Sequence, residues 1–195
     1  MMKSPNNINT FILAGGLSSR MGQEKGLIKW KNKTFIETII DKVSSLNSKV
    51  HIISNDTKYN HLGYPVYLDL IKNSGPLAGI YTGLHYSKTE LNLFLSCDTP
   101  CIESNLLKEL IDNSHSHDVT CPMVDGKIHP LIGVYSKKCM SFFKNRIERK
   151  ELGVIKALSD ISLNSMELSP SRIPNVKAQI SNINTSQDLV ELYGN

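Results

Sequence analysis

The chain has 195 residues, of which 40% are hydrophobic and 21% are charged, and its formal net charge is +4. This composition is typical of a globular protein and excludes a largely disordered chain. The length predicts one domain. The positive charge is too mild to indicate a nucleic-acid-binding protein, but it suits a site for a polyanion such as a triphosphate.

The sequence also bears on the compartment. No apolar run approaches the roughly 18 residues that a membrane-spanning helix needs, and no signal-peptide-like stretch precedes the first predicted strand. The four cysteines are few for a chain of this length and do not have the pattern of a disulfide framework. We therefore expect a cytoplasmic protein that binds neither a membrane nor a nucleic acid.

Short apolar runs alternate with segments of helical spacing along most of the chain. Strands are predicted at 10–14, 50–53, 66–68, 91–95 and 119–121. Helices are predicted at 35–46, 77–86 and 104–111, the first with Thr34 as its N-cap. The remaining segments are less regular, with a strand predicted at 131–135 and helices at 138–147, 154–158 and 186–192.

This alternation predicts an α/β protein, a three-layer α/β/α sandwich with a mostly parallel, Rossmann-like sheet and right-handed crossovers. Ligands bind such sheets outside the carboxyl ends of the strands. The loops that follow the strands are therefore where the functional residues are expected.

The first predicted strand ends in a glycine-rich loop that begins with Leu13, Ala14, Gly15 and Gly16. Glycines at this position let backbone N–H groups approach an anion, and Arg20 and Lys25 add positive charge further along the loop. The spacing fits neither G-x-x-x-x-G-K-[ST] nor G-x-G-x-x-G. The glycines alone would also fit a plain turn, but together with Arg20 and Lys25 they predict a phosphate-binding loop.

Asp98 follows the apolar run 91–95, which places its carboxylate at the end of a central strand. Mg²⁺ favours one or two carboxylates together with phosphate oxygens and water, so a single aspartate here could anchor it. The alternative is that Asp98 caps the helix near Ser104 or stabilises the turn at 99–100.

Three other loops after strands carry candidate residues. Asp69 ends a short strand and is either a ligand-binding or a turn residue, and Ser54 and Asn55 follow the second strand of the pattern. Gly79 lies one turn into a helix, where glycine is less stable than alanine. It therefore indicates a close approach, either of a ligand or of the sheet.

The loop reads Leu-Ala-Gly-Gly, three residues, Arg-Met-Gly, two residues, Lys-Gly, and this string resembles the pyrophosphorylase-type nucleotidyltransferases. It is particularly similar to the molybdenum cofactor guanylyltransferases. Further segments fit that family in order, at 69, 75–79, 97–100 and 182–185. The resemblance covers residues 10–192, and the combination with Cys-Asp-Thr-Pro is more specific than the first motif alone.

The resemblance implies the nucleotide-diphospho-sugar transferase fold and the transfer of GMP from GTP to a molybdopterin-type cofactor with Mg²⁺ bound by Asp98. It implies catalytic roles for Arg20, Lys25 and Asp98. It implies nucleotide contacts at residues 13–16, Lys25, Ser54, Asn55, Asp69, Gly79 and Asp98. Residues 8–122 would form a nucleotide-binding half and 123–195 an acceptor-binding half, and molybdoenzyme apoproteins would be further partners.

The acceptor side is less distinct. The family has a His-Pro pair that matches His129 and Pro130, and the resemblance assigns Asn182 and Asn184 to the acceptor. From the residues alone, His129 could be a loop residue and Asn184 a helix cap. Two other functions remain open at this point, a cytidylyltransferase acting on a pterin or a sugar phosphate and a non-catalytic carrier of nucleotide or cofactor.

Overall fold

The computed structural model describes residues 8–15 and 24–193. Gly16 and Arg20, both predicted site residues, lie outside these ranges. The strands are β1 (Asn9–Leu13), β2 (Lys29–Trp30), β3 (Lys33–Thr34), β4 (Lys49–Ile53), β5 (Val66–Tyr67), β6 (Leu91–Ser96), β7 (Val119–Val124), β8 (Lys127–Ile128), β9 (Ile132–Ser136) and β10 (Leu163–Glu167). The helices are α1 (Phe35–Ser44), α2 (Gly75–Tyr86), α3 (Ser104–Asp112), α4 (Cys139–Glu148), α5 (Val154–Leu158), α6 (Val176–Ile180) and α7 (Ser186–Tyr193).

One large sheet has the strand order β10-β7-β9-β6-β1-β4-β5, with β8 paired to β7. Its strands are parallel except for β9, which runs antiparallel to both β6 and β7, and for the short β8. Strands β2 and β3 form a separate hairpin. The predicted mostly parallel sheet is confirmed.

Alternate residues of the central strands point to opposite faces and supply two cores. Ile12 and Leu95 pack with helices α1, α3 and α6 on one face. Phe11 and Phe94 pack with α2, α4 and α5 on the other. This period of two produces the predicted three layers. Within the described ranges, no helix has both the length and the apolar character to span a membrane.

The strand register brings the ends of the central strands to one edge. Leu13, the last residue of β1, pairs with Ile53 of β4 and with Ser96 of β6 in parallel ladders. Ile53 in turn pairs with Tyr67 of β5. Strand β9 begins at this edge because it runs in the opposite direction, with Ile132 opposite Leu95. The loops after β1, β4, β5 and β6 therefore meet.

Two glycines let helix α2 lie close to the sheet. A Cβ atom on Gly79 would come within 3.0 Å of Leu13 Cδ2, and one on Gly83 would come within 2.5 Å of the Phe94 ring. Since these residues are four apart, they lie on one face of the helix. The close approach predicted from Gly79 is therefore an approach of helix α2 to the sheet.

A row of rings crosses the sheet beneath this helix. Phe11 lies between Phe94 and His51, with ring centroids 5.3 and 5.0 Å away. His51 also contacts Tyr67 at 5.8 Å, and its Nδ1 atom is buried without a hydrogen-bond partner in the part of the chain that is described. Burial, with a smaller contribution from Lys49, lowers the pKa of His51.

Replacing His51 with Phe is expected to make stability less sensitive to acid. The unfolded chain takes up a proton on His51 near its ordinary pKa of about 6.5, whereas the folded protein resists protonation. The wild-type free energy of unfolding should therefore fall as the pH drops below that value. The free energy of unfolding of His51→Phe should fall less. Denaturant unfolding of both proteins from about pH 7.5 to 5.5 measures this. Parallel curves would contradict it.

Candidate functional site

A cleft of about 800 Å³ opens at the edge where the strands end. Its lining includes six of the predicted nucleotide-binding residues, Leu13, Gly15, Ser54, Asn55, Asp69 and Gly79. The cleft is completed by residues 73–76 and by Glu24, Ile53, Asp56, Thr57, Ser96 and Leu131. Loops that are far apart in the sequence thus form one concave surface at the carboxyl ends of the strands, as expected for this class of sheet.

The glycine-rich loop enters the cleft after Ala14. Ala14 is buried, and its N–H donates to the carbonyl oxygen of Ile53 at 2.9 Å, which extends the β1–β4 ladder by one residue. Gly15 is exposed and lines the cleft, and an added Cβ would meet no described residue within 4 Å. The β1–β4 ladder therefore ends at Ala14, and Gly15 is the first residue of the loop to line the cleft.

Lys25 and Asp98 meet in an ion pair beside the cleft. Lys25 Nζ lies 3.1 Å from Asp98 Oδ2, and Ser96 Oγ donates to Asp98 Oδ1 at 2.6 Å. Only 11% of the Asp98 side chain is exposed, and each of its carboxylate oxygens contacts one of these two side chains. The two alternatives for the Asp98 side chain, a cap on helix α3 and a stabilised turn at 99–100, are wrong. The N-cap of α3 is Glu103, and the Asp98 carboxylate contacts Lys25 and Ser96 instead.

The same lysine contacts a residue predicted to bind the acceptor. Lys25 Nζ donates to Asn184 Oδ1 at 2.5 Å. The segment around Asn184 is tied to the site, since the Ile183 N–H donates to the Asp98 carbonyl oxygen at 2.8 Å. Asn182, the residue before Ile183, is exposed. The structure thus brings Lys25, Asp98 and Asn184 together.

Helix α7 is not capped by Asn184. Thr185 Oγ1 accepts from the Asp188 N–H at 3.1 Å, and Asp188 Oδ2 accepts from the N–H groups of Asn184 and Thr185 at 2.8 and 2.9 Å. These backbone hydrogen bonds lower the pKa of Asp188. The prediction that Asn184 caps the helix is therefore wrong, and the Asn184 side chain contacts Lys25 instead.

Asn55 and Asp69 form a reciprocal pair at the other end of the cleft. Asn55 Nδ2 donates to Asp69 Oδ2 at 2.8 Å, and the Asp69 N–H donates to Asn55 Oδ1 at 3.1 Å. Asp69 Oδ1 is buried and has no partner among the described residues. Burial raises the pKa of Asp69, and the bond from Asn55 partly offsets this. A buried acceptor without a donor is costly, so this oxygen favours a ligand that carries N–H or O–H groups.

Ser54 has a local role beside this pair. Its Oγ accepts from the Asp56 N–H at 3.0 Å, and its own N–H donates to the Tyr67 carbonyl oxygen at 3.0 Å. Ser54 thus shapes the turn after β4, and Asn55 is the residue of the two whose side chain meets Asp69. The sequence alone left this choice open.

His129 lies on the loop between β8 and β9, two residues before Leu131, which lines the cleft. Its backbone N–H donates to the Pro122 carbonyl oxygen at 3.0 Å, and its side chain is half-buried. Burial, and to a smaller extent Lys127, lower the pKa of His129. An acceptor-binding role for His129 remains a prediction.

The donor set at this edge fits Mg²⁺. The described residues contain no group of three or more His, Cys, Asp or Glu side chains that could hold a metal ion between them. A cation bound by the Asp98 carboxylate would take its other ligands from water and from phosphate oxygens, and this is the coordination that Mg²⁺ prefers.

Two contributors to the site were not predicted. Ser96 supports Asp98 from the position two residues earlier, which lies on the same side of an extended chain. Asp188 anchors the backbone of Asn184, and the spacing of Thr185 and Asp188 is that of a capping box. Both signals are visible in the sequence.

Comparison with known proteins gives a consistent result. The family model described as "MobA-like NTP transferase domain" matches residues 10–161. A protein of Flavobacterium johnsoniae named "Probable molybdenum cofactor guanylyltransferase" is 40% identical over 187 residues, which are 95% of this chain and 96% of that protein. A protein of Aquifex aeolicus with the same name is 31% identical over 95% of this chain and 90% of its own length.

The fold has a close match among crystal structures. The molybdopterin-guanine dinucleotide biosynthesis protein A of Archaeoglobus fulgidus superimposes with a TM-score of 0.81 at 22% identity, over 95% of this chain and 97% of that one. This confirms the fold predicted from the sequence. The match of the family model over most of the chain, together with the relative at 40% identity, shows that the chain belongs to the MobA-like NTP transferase family.

Proposed function

We propose that this protein transfers GMP from GTP to the terminal phosphate of a molybdopterin-type cofactor and releases pyrophosphate. The observation that carries the proposal is the cleft, which has the Lys25–Asp98 ion pair beside it. Its wall includes the Asp69 carboxylate, one oxygen of which has no partner among the residues that the structure describes. A cationic group suits a triphosphate, and a buried acceptor suits a base that offers N–H groups. The names of the Flavobacterium and Aquifex relatives support the same substrates.

The reaction needs positioning and charge neutralisation more than covalent help from the protein. An oxygen of the acceptor phosphate attacks the α-phosphorus of GTP, the bond from that phosphorus to the bridging oxygen breaks, and pyrophosphate leaves in line. Lys25, with Arg20 as a second cation, balances the negative charge that develops on the leaving group. The N–H groups of the loop from Gly15 onward bind the same phosphates.

Asp98 is the residue that would hold Mg²⁺. When bound, the ion would neutralise charge on the phosphate oxygens and orient the triphosphate. Ser96 fixes one oxygen of the Asp98 carboxylate, so that the second oxygen faces the cationic partner. The protein contributes the position of this oxygen, and the substrate contributes the remaining ligands.

The chain would divide its two substrates between two halves, with GTP bound by 8–122 and the acceptor by 123–195. In the nucleotide half, Asp69 would accept hydrogen bonds from the guanine edge, and Asn55 would hold the Asp69 carboxylate in place. In the acceptor half, His129, Asn182 and Asn184 are the proposed contacts. Apoproteins of molybdoenzymes would receive the product.

We place the reaction in the cytoplasm. Four cysteines, all unpaired, support this, since a reducing compartment keeps thiols free. The buried Cys97 next to Asp98 packs at the end of β6, and burial raises its pKa to about 12. A thiol of this kind is not a nucleophile at neutral pH.

Pyrophosphate release tests the proposal. The protein is incubated with each of the four ribonucleoside triphosphates and Mg²⁺, with and without molybdopterin. We expect release only when GTP and molybdopterin are both present. Release with CTP in place of GTP would identify a cytidylyltransferase, and GTP binding without any release would identify a carrier. Either result would overturn the proposed function.

A further inference from the structure

One lysine joins the two proposed halves of the molecule. The Lys25 ammonium contacts Asp98 Oδ2 at 3.1 Å and Asn184 Oδ1 at 2.5 Å, and Asn184 lies 159 residues further along the chain. Only 24% of the Lys25 side chain is exposed, so the contact is largely shielded from water. A charge-assisted hydrogen bond in such a place is stronger than one at the surface.

Asn184 cannot follow Lys25 if the lysine turns toward a triphosphate. The backbone N–H of Asn184 is bound by Asp188, and the neighbouring Ile183 N–H is bound by the Asp98 carbonyl oxygen. Ile183 is also buried against Ile28 and Phe35. The backbone on both sides of Asn184 is therefore fixed, and movement of the Lys25 ammonium toward a phosphate breaks the Lys25–Asn184 hydrogen bond.

We propose that this hydrogen bond couples the two substrate sites. The inference rests on the proposed function, in which Lys25 binds the triphosphate and Asn184 binds the acceptor. A triphosphate that draws the Lys25 ammonium away breaks this bond, and so does an N–H group of the acceptor that takes the Asn184 carboxamide oxygen. The substrate that binds second then binds without that loss. Nucleotide and acceptor therefore bind with positive cooperativity, and linkage makes the effect equal in both directions.

Calorimetry measures the coupling. The probe is a GTP analogue with a methylene bridge between the α- and β-phosphates, which the reaction cannot cleave, in the presence of Mg²⁺. Saturating molybdopterin should lower its dissociation constant for the wild-type protein by about tenfold, the effect of one charge-assisted hydrogen bond. In Asn184→Ala, the analogue alone should already bind about tenfold more tightly, and molybdopterin should add nothing.

Two further variants separate this effect from a general disturbance of the fold. Asn145→Ala makes the same change at an exposed side chain of helix α4, outside the proposed substrate contacts, and should keep the wild-type cooperativity. In a Lys25→Met background, adding Asn184→Ala should no longer alter the affinity for the analogue, because the bond is already absent. Thermal unfolding checks that each variant is folded.

The outcomes distinguish the inference from the proposed function. If the wild type binds the analogue but Asn184→Ala binds it equally or more weakly, the coupling is overturned and the proposed function stands. If Asn184→Ala tightens binding in the Lys25→Met background as well, the effect does not pass through Lys25, and the coupling is again overturned. Failure of the wild type to bind the analogue at all would refute both.

Discussion

Replacing Asp98 with Asn is expected to lower the rate of GMP transfer by about 10²- to 10³-fold, the loss typical of removing one preorganised electrostatic group from an active site. Asn has the same shape and can still accept from Ser96, so the strand end should keep its conformation. The charge that pairs with Lys25 and would bind Mg²⁺ is lost. Initial rates at several Mg²⁺ concentrations measure both effects, and the apparent affinity for Mg²⁺ should fall.

Asp112→Asn is the matched control, since Asp112 is exposed at the last turn of helix α3. It removes the same charge and should transfer GMP at the wild-type rate. Thermal unfolding of Asp98→Asn is needed alongside, because the substitution leaves Lys25 beside a neutral amide. A folded Asp98→Asn protein with wild-type turnover and unchanged dependence on Mg²⁺ would remove Asp98 from the mechanism.

The parts of the fold that could be predicted are those set by local patterns. Helix α1 begins at Phe35 behind Thr34, because Thr34 and Glu37 satisfy each other's backbone N–H groups and the apolar residues of the helix share one face. Asp69 and Asp98 could be placed at one edge because every parallel strand ends on the same side of a sheet. These rules need no knowledge of which strands are neighbours.

A strand is predicted at 131–135, but the antiparallel direction of β9 could not be predicted from its sequence. Ile132–Ser136 is buried throughout, and a buried apolar run reads the same in either direction. Its direction depends on its insertion between β6 and β7, which is a property of the whole sheet. Strand β10 was missed for a different reason, because Met166 is its only fully buried residue and an edge strand of this kind has no clear alternation.

The contact between Lys25 and Asn184 also lay beyond the sequence. The resemblance assigned Lys25 to the nucleotide and Asn184 to the acceptor, and no spacing rule relates two residues at opposite ends of a chain. The structure connects them because the segment before α7 returns to β6 and is bound there by Asp98. The spacing of Thr185 and Asp188 does predict that Thr185 caps α7. That prediction would have excluded Asn184 as the cap.

Replacing Asp69 with Asn is expected to shift the nucleotide preference from GTP toward XTP. Asn55 Nδ2 donates to Asp69 Oδ2, so the amide oxygen of the new side chain should take that position. The amide nitrogen then occupies the place of the buried Oδ1, and this group in the wall of the cleft changes from an acceptor to a donor. Guanine presents N–H donors at positions 1 and 2, whereas xanthine carries a carbonyl oxygen at position 2.

The value of kcat/KM for GTP should therefore fall by on the order of 10²-fold, because buried donors would face each other, and the value for XTP should rise. Competition between the two nucleotides in one reaction measures the ratio directly, and Asp112→Asn should leave it unchanged. A variant that loses GTP without gaining XTP would show that Asp69 supports the cleft but does not contact the base. Because the swap is predicted from the orientation that Asn55 imposes, Asp69→Asn combined with Asn55→Ala should lose the preference for XTP.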